Sequence, residues 1–241
     1  MNKSSSFFIS LAALVLSVAA LGLCLFGCHK NKATTSVEEA LMQKPEMVVE
    51  AIKKYEQNMR DQAAAEVQKL VEANIGELNN DAATPFVGPE NAKVTVVEFF
   101  DYSCGYCHRL FPELKSVIEA NPDVKFVFKP LTFLSDASVA AAKGSLAAGK
   151  QGKFLQMHNA LFGSQERLTV EKIRAVAEEQ GLDMAKYDAD IASEEIAQLI
   201  RNISTLANKI QVNGVPVLFV NGKMLQTLDG NDIQTAINNN K

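Results

Sequence analysis

The hydrophobic positions of this chain fall into three regimes. Phe7 to Phe26 runs 20 residues without a charge. From Val37 the pattern turns helical, and apolar residues recur at steps of three and four: Val48, Ile52, Tyr55, Met59, Ala63, Val67, Leu70 and Leu78, with Asn74 the one polar break. That period predicts an amphipathic helix from about Pro45 to Leu78, roughly 50 Å long. Past a linker, Asn79 to Pro85, the apolar runs shorten to strand length. Val94–Phe100 and Val124–Lys129 read as strands, with a helix from the Cys104–Cys107 region to Ala120 between them and Asn121-Pro122 as its stop. Helices are expected at Asp136–Ala148, ended by Gly149, then near Phe154–Phe162, Val170–Gln180, Met184–Ser193 and Glu194–Ile210. Val217–Val220, the turn Asn221-Gly222 and Lys223–Gln226 form a hairpin by the Asn-Gly signal. A final helix follows. Asn231 is preferred over Asp229 as its cap, because Gln234 can reach back three residues later.

The helix with one apolar stripe must bury that stripe on something. It can pack on its own domain or pair with copies of itself. Its length and spacing favour self-association into a dimer or trimer stalk. Ahead of it, Met1-Asn2-Lys3 gives a positive start to the long apolar run, which suits a signal sequence or a spanning helix. Leu25-Phe26-Gly27-Cys28 is similar to a bacterial lipobox, in which Cys28 would carry lipid. An uncleaved anchor and cleavage after a small residue such as Ala20 are the rival fates, and all three export the protein. The expected organisation is a leader over 1–28, a tether and helical segment over 29–80, and one domain over 81–241.

Composition narrows the function. The 241 residues are 47% hydrophobic, enough for one well-buried domain plus an accessory segment. Net charge is −4, with no basic stripe, so nucleic acid is not an expected partner. The four cysteines are Cys24, Cys28, Cys104 and Cys107. With the first two in the leader, the exported domain holds a single CxxC pair. So short a loop stabilises little as a staple. Closed zinc sites need two further Cys or His ligands, and the chain holds only His29, His108 and His158. No metal is therefore expected. The remaining reading is a redox-active dithiol. Cys104 opens a helix, where unpaired amides and the helix dipole favour its thiolate, the attacking species in disulfide exchange. It should be partly exposed. Cys107, one turn later and more buried, is the resolving thiol. Gly105 and Tyr106 between them tune the potential, and His108 is expected to face solvent. Glu98 interrupts an apolar strand, which points to a buried carboxyl with a raised pKa. The other reading is a strand-end Glu reaching solvent or a lysine, with Lys129 a candidate partner. Pro112 should kink the active-site helix. Phe154, Met157, His158, Leu161 and Phe162 follow helical spacing and read as core.

The element order is that of a thioredoxin-type α/β core with a helical insertion at about 136–210 between its halves. Phe99-Phe100-Asp101-Tyr102-Ser103-Cys104-Gly105-Tyr106-Cys107, with Gly214-Val215-Pro216 downstream, resembles the DsbA-like family of exported thiol–disulfide oxidoreductases. The resemblance implies a thioredoxin fold and exchange on exported cysteine-containing proteins in the periplasm. It implies no cofactor beyond the Cys104–Cys107 disulfide. It makes Glu98 a proton acceptor for Cys107 through water. It implies a cis Val215–Pro216 bond, which leaves Val215 to pair with an extended substrate. A membrane redox partner is expected for an oxidase. The N-terminal helix resembles the added segment of dimeric and trimeric members. The Gly-Tyr dipeptide matches the isomerase branch, while the strong oxidants of the family carry Pro-His. A non-catalytic surface lipoprotein or binding module with this fold is the competing class.

Overall fold

The computed structural model describes residues 37–241 except 82. The leader, with Cys24, Cys28 and the lipobox-like motif, lies outside the described residues. The chain forms two compact units, 1–60 and 61–241. In the first, α1 spans Val37–Gln43, and α2, Glu46–Ala73, begins. Val48, Ile52, Tyr55 and Met59 of the expected stripe are all exposed there. Among the described residues no helix is long and apolar enough to cross a membrane.

The second unit carries the rest of α2 and a short α3, Ile75–Asn79. The single long helix expected to Leu78 therefore breaks at Asn74. Asn74 leaves helical backbone at φ −117°, and its side-chain amide donates to the Leu70 carbonyl at 2.7 Å. An Asn that bonds its own backbone competes with the helical ladder, which is why the one polar break in the stripe is the break in the helix. Beyond Arg60 the stripe is progressively covered: Ala63 is exposed, Val67 and Leu70 are half-buried and Leu78 is fully buried, as is Val71 outside the stripe.

Five strands form a mixed sheet in the order β1-β3-β2-β4-β5. They are β1 (Phe86–Val87), β2 (Thr95–Phe100), β3 (Lys125–Pro130), β4 (Val217–Val220) and β5 (Lys223–Met224). The edge strand β1, antiparallel to β3, was not expected; two residues are too short to show a period. Strand β2 runs parallel to β3 and antiparallel to β4, so it lies at the sheet centre. Helix α4 (Gly105–Ala120) connects β2 to β3 and packs against the last helix, α10 (Gly230–Asn238). Between β3 and β4 come α5 (Asp136–Lys150), α6 (Phe154–Gly163), α7 (Val170–Glu179), α8 (Met184–Ile191) and α9 (Glu194–Lys209). This is the thioredoxin fold with its helical insertion.

Two local expectations are corrected. Gly149 lies inside α5 rather than ending it. Asp229, not Asn231, caps α10, because its carboxylate accepts the Asp232 amide at 2.8 Å. Lys125 and Lys129 of β3 are both buried. The 77–84 segment covers them. Lys125 donates to the Asn80 side chain at 3.2 Å. Lys129 donates to the Glu77 carbonyl at 3.1 Å and the Thr84 hydroxyl at 3.3 Å. Burial lowers the Lys129 pKa to about 8.

The Asn221-Gly222 turn has positive φ at both residues, 47° and 76°, as a two-residue hairpin of this type needs. A Cβ on Gly222 would also lie 2.6 Å from the tip of Ile75. Gly222→Ala is expected to cost about 1 kcal/mol or more, read as a lower urea midpoint at unchanged slope.

Candidate active site

Strand β2 delivers the site. All six of its residues are buried, with Val97 and Phe99 on one face and Val96, Glu98 and Phe100 on the other. Burial on both faces leaves no freedom of register, so the loop after Phe100 leaves the sheet at one defined place. There the Asp101 carbonyl accepts the Cys104 amide at 3.0 Å, closing a turn that starts α4.

Cys104 is the cap of α4. Its backbone is extended, and its sulfur accepts the Cys107 amide at 3.4 Å. The helix thus points an unpaired N–H at this sulfur, which favours negative charge there. On its other side the Cys104 thiol reaches the Val215 carbonyl at 3.5 Å. The Val215–Pro216 bond is cis. Cys104 is only 6% exposed, more enclosed than expected of an attacking thiol, while its neighbour Tyr106 stands 68% exposed. Tyr106 is covered by the Arg109 guanidinium 4.1 Å above its ring. Gly105 is exposed, and a Cβ there would meet nothing within 4 Å.

Cys107 is buried, as its place one turn later requires. Burial pushes its thiol well up from the usual range. The Asp101 backbone amide opposes that shift by hydrogen bonding, while the Cys104 sulfur and the Glu98 charge add to it. Both cysteines are free thiols.

Glu98 is 4% exposed, and its Oε2 has no hydrogen-bond partner among the described residues. Burial raises its pKa to about 8. The suggested partner Lys129 does not reach it, for a reason of register. Glu98 is paired with Phe128, and Lys129 with Phe99, so the two side chains leave opposite faces of the sheet. The buried reading of Glu98 holds, and the ion-paired one does not.

His108 departs from its expected place in solvent. It is half-buried, with Nε2 2.8 Å from the Tyr102 carbonyl and Nδ1 3.2 Å from the Phe162 carbonyl. A neutral ring donates through one nitrogen and an imidazolium through both. In either form the ring packs edge-on against Phe162 of α6, with ring centroids 4.9 Å apart. His158 is core, as its spacing implied. Burial lowers its pKa to about 3, and Nδ1 stands 3.1 Å from the Tyr102 hydroxyl. Around it pack Phe100, Phe111, Phe128, Phe154 and Phe162. Pro112 lies inside α4. Among the described residues no cluster of three His, Cys, Asp or Glu side chains could hold a metal.

Geometry of this kind, a CxxC at a strand-to-helix junction facing a cis proline, can exchange thiols with a disulfide. The family model of the DSBA-like thioredoxin domain matches residues 95–239, more than half of the chain. The chain belongs to that family. Relatives of this DSBA-like chain include several solved structures. A thioredoxin-like oxidoreductase from Silicibacter pomeroyi DSS-3 is 33% identical, with a TM-score of 0.64 over 68% of this chain and 95% of its own. ScsC of Proteus mirabilis, in a transitional conformation, is 25% identical, with a TM-score of 0.66 over 95% of this chain and 97% of its own. The Na(+)/H(+) antiporter NhaA 3 of Salinispora tropica is 33% identical over 138 residues. That is 56% of this chain but 21% of the antiporter, so the chain spans about a fifth of that relative's length.

Asp101 went unnoticed in the sequence, since an Asp at a strand end reads as ordinary turn chemistry. The Glu98 carboxyl offers a clean test of the burial argument. Its pKa is higher folded than unfolded, about 8 against an ordinary 4.5, so the fold favours its neutral form. Stability is then lost as pH rises from about 4.5 to 8, reaching about 3 kcal/mol at pH 7. Glu98→Gln should abolish that decline, and urea unfolding across this pH range reads it.

Proposed function

We propose that this chain is a thiol–disulfide oxidoreductase acting on exported, cysteine-containing proteins through Cys104 and Cys107, with no other cofactor. The observation that carries the reading is the Cys104 sulfur at the head of α4, accepting the Cys107 amide and lying 3.5 Å from the Val215 carbonyl. Family membership supports the same chemistry.

As an oxidant, the pair starts as a disulfide. A substrate thiolate attacks the Cys104 sulfur, forming a mixed disulfide and expelling Cys107 as thiolate. The second substrate thiolate then attacks the substrate sulfur and releases Cys104. The substrate loses two electrons and the pair gains them. In the reverse sense, the Cys104 thiolate opens a substrate disulfide and Cys107 attacks Cys104 to release the substrate. Cys107 must gain or lose a proton in both directions. Glu98, with a pKa of about 8, is poised to exchange one near neutral pH. Val215 and Pro216 hold the extended substrate beside Cys104, and Gly105 and Tyr106 tune the potential.

The periplasm is the compartment this reading requires, reached by a leader that anchors the chain, is cleaved after a small residue such as Ala20, or ends in a lipidated Cys28. As an oxidase the pair needs a membrane partner to reoxidise it. As an isomerase it must stay reduced, and a second active site helps. Self-association would supply one, and the exposed Val48, Ile52, Tyr55 and Met59 favour it. Thiol trapping in cells separates the directions: a wholly oxidised pair rules out the isomerase.

Cys104→Ser should abolish insulin reduction and scrambled-ribonuclease refolding, and Cys107→Ser should accumulate mixed disulfides on non-reducing gels. Unchanged activity in Cys104→Ser would end the enzyme reading in favour of a binding module. Removing residues 1–60 spares the buried Val71 and Leu78. The shortened protein should sediment as a monomer while the longer one does not; equal particle sizes would rule out the stalk.

A further inference from the structure

Asp101 is fully buried, yet the exchange chemistry above gives its carboxylate no part. Its backbone carbonyl accepts the Cys104 amide at 3.0 Å, and so places the sulfur that accepts the Cys107 amide at 3.4 Å. The side chain holds this peptide in place. Oδ1 accepts from the Ser103 amide at 2.8 Å and from the Ser138 hydroxyl at 2.6 Å. Oδ2 accepts from the Leu134 amide at 3.4 Å. These donors come from three segments: the loop before Cys104, the loop after β3, and the first turn of α5. Ser138 is itself fully buried. Its oxygen lies 3.0 Å from that of Ser103 and 3.1 Å from that of Ser135, the cap of α5. The helical insertion therefore grips the CxxC loop through one carboxylate.

We infer that Asp101 is a positioning residue: clasped by Ser138 of the insertion, its carboxylate sets where its own peptide holds Cys104, and with it how the Cys107 amide meets the Cys104 sulfur, and so sets the reduction potential of the pair. A backbone N–H that points at a sulfur stabilises a thiolate strongly and a neutral disulfide sulfur weakly. A peptide held in register thus favours the reduced pair. Loosening it costs the reduced form more than the oxidised one.

This inference rests on the exchange reading, and one experiment separates the two. The pair is equilibrated with glutathione at graded ratios, and the reduced fraction is read by thiol trapping in the wild type, Ser138→Ala and Val176→Ala. Ser138→Ala removes one donor and leaves every charge in place. It should shift the equilibrium about threefold or more toward the disulfide. Val176→Ala trims a buried side chain of α7 and should lower the melting temperature without moving the equilibrium. Equal constants for wild type and Ser138→Ala, or the same shift in Val176→Ala, would overturn the inference while leaving exchange intact. A wild-type pair that does not equilibrate with glutathione overturns both.

Discussion

The Cys104 sulfur caps α4, and the rest of the site is arranged around that contact. A helix start leaves amides without partners, and here one of them, on Cys107, finds a sulfur at 3.4 Å. The cap is local chemistry, but its location is not. It depends on β2, whose two buried faces hold the strand in the middle of the sheet. It depends too on the cis Val215–Pro216 loop, which brings a carbonyl to the same sulfur from 111 residues away in sequence.

The burial that positions the strand also sets its chemistry. Glu98 shares a sheet face with Phe100 and Phe128, where an ionised carboxylate is poorly solvated. Desolvation moves it from an ordinary acid to one that titrates near neutral pH. The same desolvation raises the Cys107 thiol beside it. Two buried acidic groups are therefore both displaced upward by one cause. Asp101, just past the strand, is buried but surrounded by donors, so its oxygens are satisfied where the Oε2 of Glu98 is not. Two carboxyl groups three residues apart thus have different surroundings.

Much of this was legible in the order of residues. The CxxC at the junction, the strands, all the insertion helices and the Asn-Gly hairpin follow from local spacing and turn chemistry. Glu98 stood out as a charge in an apolar run. The burial of Lys125 and Lys129 is not visible in the spacing, because their partners are the Asn80 side chain and the Glu77 carbonyl of a segment distant along the chain. His108 misled for a similar reason: its partners are the Tyr102 and Phe162 carbonyls, which no side-chain pattern encodes.

Taken alone, the sequence determined most of the elements and the helix start at Cys104, because periodicity and capping act within a few residues. Only the tertiary structure decided that Glu98 faces away from Lys129, that Val215 meets Cys104, and that Ser138 grips Asp101. Strand register, desolvation and hydrogen bonds between distant segments depend on which parts of the chain come to cover one another, and spacing along the chain does not contain that information.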